Sequence, residues 1–119
     1  MSEEFRKIID QTDDDAVELR ELIPGTMRAF GGLARAAQTP GALDRRTKEL
    51  IALAISVSAR CDACIAYHAR GASRAGASRA EIAEALGVAV QMGGGPAVNY
   101  AARALAAFDE LNTAQTVGA

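Results

Sequence analysis

The 119-residue sequence has no tryptophan, one histidine and two cysteines, and its aromatic content is only 4%. So few rings, none interleaved with basic residues, leave no stacking platform for single-stranded nucleic acid. No charge of one sign dominates. The net charge is −2 and the isoelectric point about 5.4, which removes any general attraction to nucleic acid or to an anionic membrane surface. Long hydrophobic runs are missing too. The longest, Leu50 to Ala59, is far too short to span a bilayer and contains two serines. The opening Met1-Ser2-Glu3-Glu4 is acidic where a secretory signal is basic and then apolar. A soluble, non-exported, cytoplasmic protein is expected. In a reducing compartment, two cysteines spaced Cys61-x-x-Cys64 point to redox chemistry or metal binding rather than to a structural staple.

Alanine is what the sequence has in excess, with 27 residues against 25 of Leu, Ile, Val and Phe together. Alanine is the strongest helix former and is depleted in strands. With no alternating pattern of useful length, the fold predicted is all-α, a compact bundle of five or six helices in one domain over residues 1–119. Alanine buries little area, so the core of one chain is thin and further burial is expected from other subunits. The acidic run Asp13-Asp14-Asp15 reads as a helix start, and Pro24-Gly25 as its end. A second helix is expected from Pro24 or Thr26 to about Ala37. Asp44 can cap a third, whose apolar body Leu50–Val57 covers nearly every angle and so predicts a buried central helix. A fourth runs from about Cys61 to Ala75, with Gly76 just past its end. Ser78-Arg79-Ala80-Glu81 has the capping-box pattern for a fifth, running to about Met92. Gly93-Gly94-Gly95 breaks the chain before Pro96 opens a sixth, which ends near Asn112 ahead of a frayed tail.

The chemistry concentrates in Arg60-Cys61-Asp62-Ala63-Cys64-Ile65-Ala66-Tyr67-His68. At about 100° per helical residue, Cys61, Cys64, Ile65 and His68 fall in one stripe, continued by Ala72 and Ala75. Both thiols in a first helical turn meet unpaired N–H groups and the positive end of the dipole, which favour thiolate. His68 lies one turn beyond Cys64 and can accept its proton directly or through water. Ala72 and Ala75 leave room for a narrow apolar entrance. The cysteine spacing also permits an intramolecular disulfide, so that Cys61 can resolve an oxidised Cys64.

Other readings of the same residues stay open. Two thiolates and an imidazole can hold a catalytic zinc with an open fourth position, the basis of a zinc-dependent lyase or hydrolase, whereas a closed structural site needs a fourth ligand. A non-catalytic oligomeric module needs none of this chemistry. The triple glycine before a helix can bind an anion, but no strand precedes it and no lysine follows, so a helix stop with close packing explains it better. Arg70, Arg74 and Arg79 form a small basic stripe that suits a solvated or subunit-contact face. Tyr67 and Tyr100 suit a pocket wall, a core or an interface equally. Glu49 is harder to place. A hairpin bending near Arg60 sets it about 18 Å below the bend and His68 about 10 Å, and its bare reading is an i,i+4 pair with Arg45.

The spaced set Glu49, Cys61-x-x-Cys64 and His68 resembles the AhpD-like alkylhydroperoxidases of the carboxymuconolactone decarboxylase family. The flanks Leu43-Asp44-x-x-Thr47-Lys48-Glu49-Leu50, Ala75-Gly76-Ala77 and Glu81-Ile82 match as well, and the resemblance covers about residues 30–108. It implies an all-helical subunit assembled as a trimer or hexamer. It further implies a thiol peroxidase acting on small or organic hydroperoxides, with Cys64 as the attacking thiol, Cys61 as the resolving one, and His68 and Glu49 in the proton relay. Ala63 stands where the best-known members carry a second histidine between the cysteines. The lactone decarboxylases of the family typically lack the cysteine pair, so its presence argues against that reaction; a decarboxylase-family enzyme acting on a lactone-type substrate stays as an alternative. No flavin or nicotinamide motif is present; no cofactor is expected, and electrons must come from an external dithiol reductant or a redox partner protein.

Overall fold

A computed structural model describes residues 2–112, which form six helices: α1 Glu4–Leu22, α2 Pro24–Gln38, α3 Arg45–Ser58, α4 Asp62–Arg74, α5 Arg79–Gly93 and α6 Gly95–Leu111. No strand occurs among the described residues. The tail expected to fray lies outside them.

The acidic run is not a helix start: α1 passes straight through Asp13–Asp15. Its true beginning is capped from the other end of the chain, where the Glu110 carboxylate accepts from the backbone N–H groups of Phe5 (3.1 Å) and Arg6 (2.7 Å). That distant cap satisfies two of the N–H groups every helix start leaves open. It also lets Phe5 and Ile9 bury against the core.

Local signals placed most other boundaries. Asp44 accepts from Thr47 N–H at 2.8 Å and opens α3. That bond holds the Asp44 carboxyl below its ordinary range. Ser78 and Glu81 exchange hydrogen bonds in a complete capping box at α5. Of the three glycines, only Gly94 lies between helices, at φ 70°. A Cβ on Gly93 would fall 2.7 Å from Ala97 Cβ, so the pair lets α5 and α6 meet closely.

The centre of the bundle is α4, not α3. Ile65, Ala66, Ala69 and Ala72 are wholly buried on α4, which packs against α1, α3 and α6. Small side chains allow these backbones to approach, and that is where the alanine excess is used. The third helix buries Glu49, Leu53 and Val57 on one side but leaves Ile55 61% exposed on the other. The second helix has no buried residue, and its Phe30 is 65% exposed. It packs beside α1 and α3 as an outlying arm.

Two tight reversals flank α4. After α3, Cys61 N–H bonds Ser56 O (3.2 Å) and Arg60 N–H bonds Val57 O (3.1 Å), the paired bonds of a Schellman ending. Arg60 sits at φ 55°, in the left-handed region where glycine is the usual residue. After α4 the same pattern recurs, with Ala77 N–H on Ala72 O, Gly76 N–H on Ser73 O, and Gly76 at φ 88°.

Candidate active site

Cys61 closes one helix and opens the next. Its backbone ends α3 as above, and its Sγ accepts from Cys64 N–H at 3.1 Å at the N-cap of α4. Cys64 is the third residue of that helix, and the two sulfurs are joined as a disulfide with a Cα–Cα separation of 5.2 Å. Both thiol positions therefore lie at a positive helix end, as their spacing predicted.

His68 follows one turn later, its side chain 34% exposed. Its Nδ1 lies 3.2 Å from Glu49 Oε2. Against a carboxylate, which can only accept, Nδ1 is the donor, and in the neutral tautomer so selected Nε2 is the accepting nitrogen. Glu49 is 4% exposed and pairs with His68 rather than with Arg45. The apparent mismatch in height is closed by register. Glu49 and Gly71 are each eleven residues from Arg60, so they stand level across the α3–α4 hairpin. A Cβ on Gly71 would fall within 2.7 Å of Glu49 Cδ. Only a glycine there lets the carboxylate lie against α4 and reach back toward His68. A lone glycine inside a helical pattern was the available signal for this.

Three further residues brace the segment. Arg103 bonds Asp62, between the cysteines, at 3.2 Å and Glu4 at 3.0 Å, and its guanidinium stands 5.1 Å from the Phe5 ring centre. One cation thus ties α1 and α6 to the cysteine turn. The Tyr67 hydroxyl donates to Asp13, and Arg70 stands over its ring at 5.4 Å. Burial first, then the hydrogen bond to Asp13, push Tyr67 up to about 12. Asp13 belongs to the run expected to start a helix; its role is visible only once α1 lies across α4.

The expected entrance past Ala72 and Ala75 does not form, since Ala72 is wholly buried in the core and Ala75 half-buried. The inner edge of the cysteine–histidine stripe turns inward there. An open cleft of about 520 Å³ lies instead on the Glu49–His68 side, between the end of α2, the following loop, α3 and α4; Arg35, Gln38, Thr39, Arg45, Glu49 and His68 line it, and neither cysteine does. Of the basic stripe, Arg79 pairs with Asp109 at 2.9 Å. Among the described residues no three His, Cys, Asp or Glu side chains gather as a metal site, and no helix is long and apolar enough to cross a membrane.

Comparison with known proteins shows the family and the fold. The pattern of the carboxymuconolactone decarboxylase family matches residues 24–107. The crystal structure of an apo carboxymuconolactone decarboxylase family protein, lpg0406 from Legionella pneumophila, superimposes with a TM-score of 0.91 at 43% identity, covering 93% of this chain and 99% of that one. A family protein from Thermotoga maritima, for which involvement in an antioxidative response has been suggested, matches with a TM-score of 0.69 at 38% identity, over 76% of this chain and 94% of its own. An uncharacterized protein from Cupriavidus necator is 46% identical over 89 residues, 75% of this chain and 79% of that protein.

Proposed function

The chain belongs to the carboxymuconolactone decarboxylase family, and on that footing we propose that it is a thiol-dependent peroxidase that reduces small or organic hydroperoxides. The observation that carries this reading is the buried Glu49 carboxylate held 3.2 Å from His68, one turn beyond the Cys61–Cys64 disulfide. A structural disulfide needs no such pair. A reacting thiol needs a base held in one orientation.

In the reduced protein, His68 Nε2 takes the Cys64 proton while Glu49 holds Nδ1–H and steadies the imidazolium. The Cys64 thiolate attacks the terminal oxygen of the hydroperoxide. The O–O bond breaks, the alkoxide leaves with a proton as the alcohol, and Cys64 becomes a sulfenic acid. Cys61 then attacks that sulfur, water leaves, and the disulfide forms. An external dithiol or redox partner protein returns two electrons and two protons.

The protein acts, in this reading, as a cytoplasmic homo-oligomer, a trimer or hexamer. The support is the apolar surface left bare on one subunit, where Phe30 and Leu33 on α2, Ile51 and Ile55 on α3, and Met92 on α5 (78% exposed) stand in solvent.

The test is a free-thiol count and intact mass on metal-stripped, reduced protein before and after one equivalent of an organic hydroperoxide. Loss of both thiols and about two mass units within seconds is expected. Cys64→Ser should abolish peroxide consumption, and Cys61→Ser should allow one turnover and stop at the sulfenic acid. Thiols that survive for an hour overturn the reading, and metal analysis with chelator inhibition then tests a zinc enzyme.

A further inference from the structure

The cleft beside Glu49 and His68 carries polar groups that the dithiol cycle does not use. Arg35 and Arg45 both line it. Neither guanidinium has a carboxylate partner among the described residues, although the adjacent Arg46 pairs with Asp44 and Glu81, Arg79 with Asp109, and Arg103 with Glu4 and Asp62. Between them in the chain, Gln38 lines the same cleft. Its Oε1 is buried and is the single buried side-chain polar atom without a hydrogen-bond partner among the described residues.

Such an atom needs an account, because folding normally pairs buried polar groups. A packing fault is a poor account here, since the residue that carries this covered oxygen is itself part of the cleft wall, one side-chain rotation from a ligand there. Two unpaired cations on the rim and an acceptor awaiting a donor describe a ligand with an anionic end and an O–H. A planar guanidinium binds carboxylate in a bidentate fork, so paired arginines favour that anion over a diffuse one. The cleft, about 520 Å³, falls within the range of small-molecule sites. Ala34 and Pro40 supply apolar wall between the polar groups.

We infer that this cleft selects carboxylate-bearing organic hydroperoxides, with Arg35 and Arg45 holding the carboxylate and Gln38 Oε1 accepting the peroxide O–H. The inference rests on the peroxidase reading for the fate of the ligand, not for its binding. The reaction is unchanged: the acid hydroperoxide and two thiols give the hydroxy acid, water and the disulfide.

Two measurements keep the claims apart. In the first, 4-isopropylbenzoate and its methyl ester are titrated into the oxidised protein, which cannot turn over. The acid should bind at least tenfold tighter, equal to about 1.4 kcal/mol, and added salt should reduce the gap. The Arg35→Gln/Arg45→Gln variant, checked for folding by its melting curve, should bring acid and ester within about twofold. Acid and ester binding alike in the unmodified protein, or a preference that survives in the variant, overturns the inference. In the second, reduced protein receives 4-(2-hydroperoxypropan-2-yl)benzoate or its methyl ester, and thiol loss is timed. Faster oxidation by the acid is expected, with Gln38→Leu slowing both. If neither peroxide oxidises the thiols while the first preference holds, the peroxidase reading falls and the carboxylate site stands. Equal oxidation by both, with no binding preference, leaves the peroxidase and removes the site.

Discussion

Adding one methyl group at Gly71 should uncouple Glu49 from His68. In Gly71→Ala the new Cβ would start 2.7 Å from Glu49 Cδ and closer still to Oε2, the oxygen that faces His68. Carbon atoms pack at about 3.5–4.0 Å, so the carboxylate must withdraw by about 1 Å. The bond to His68, 3.2 Å long, then opens to about 4 Å, outside hydrogen-bond range. Stability changes little, because two terms oppose. Alanine gains about 1 kcal/mol over glycine in a helix interior, and overpacking costs about 1–3 kcal/mol. The net loss is about 0–2 kcal/mol, which a domain of ordinary stability survives. Reactivity should fall much further, by about 100-fold, the low end of what a positioned base contributes. The assay is iodoacetamide alkylation of Cys64 across pH 5–9 in a Cys61→Ser background, with hydroperoxide oxidation of the same thiol beside it. Gly71→Ala and Glu49→Gln should each move the alkylation profile to higher pH. The double variant should be no slower than Glu49→Gln alone, since both act through one contact. An unchanged profile in Gly71→Ala, or losses that simply add, would refute the relay.

Tyr67 should give the protein an alkaline limb. Its folded value, about 12, lies above the ordinary 10. The stability linked to its protonated form is therefore complete below pH 10 and is lost as the pH rises through about 12. Melting curves of the unmodified protein and Tyr67→Phe should be separated at pH 8 and converge by pH 12; a constant gap removes the assignment. Arg60→Gly should stabilise. A left-handed non-glycine residue costs about 1–2 kcal/mol, and glycine gives back about 0.5–1 kcal/mol in chain entropy. A rise in Tm of about 2–4 °C by calorimetry is expected, and a fall would mean that the Arg60 side chain supports the turn in a way its backbone does not reveal.

Much of this protein is determined by short-range rules, and those the sequence decided alone. Cys61, Cys64 and His68 share a helix face because they lie at spacings of three and four, and no packing is needed to put them there. Asp44, Ser78 with Glu81, and Gly76 mark helix ends through bonds that span only a few residues. The alanine excess dictated an all-helical chain with close-packed backbones. What the sequence could not decide depends on how helices lie against one another. By spacing alone Glu49 is an i,i+4 partner of Arg45, and only the family resemblance put it in the relay; the level pairing with Gly71 across the hairpin makes it a buried partner of His68. Asp13 reads as a helix start until α1 crosses α4 and gives it to Tyr67. Glu110 caps a helix more than a hundred residues away in the chain. The apolar body of α3 seemed to require burial on all sides, but burial is a property of neighbours, and its outer face has none within this chain. Local spacing wrote the paired sulfurs and the neighbouring histidine into the sequence. Tertiary packing chose the carboxylate and the cleft, because only contacts between distant segments can desolvate a charge or enclose a space.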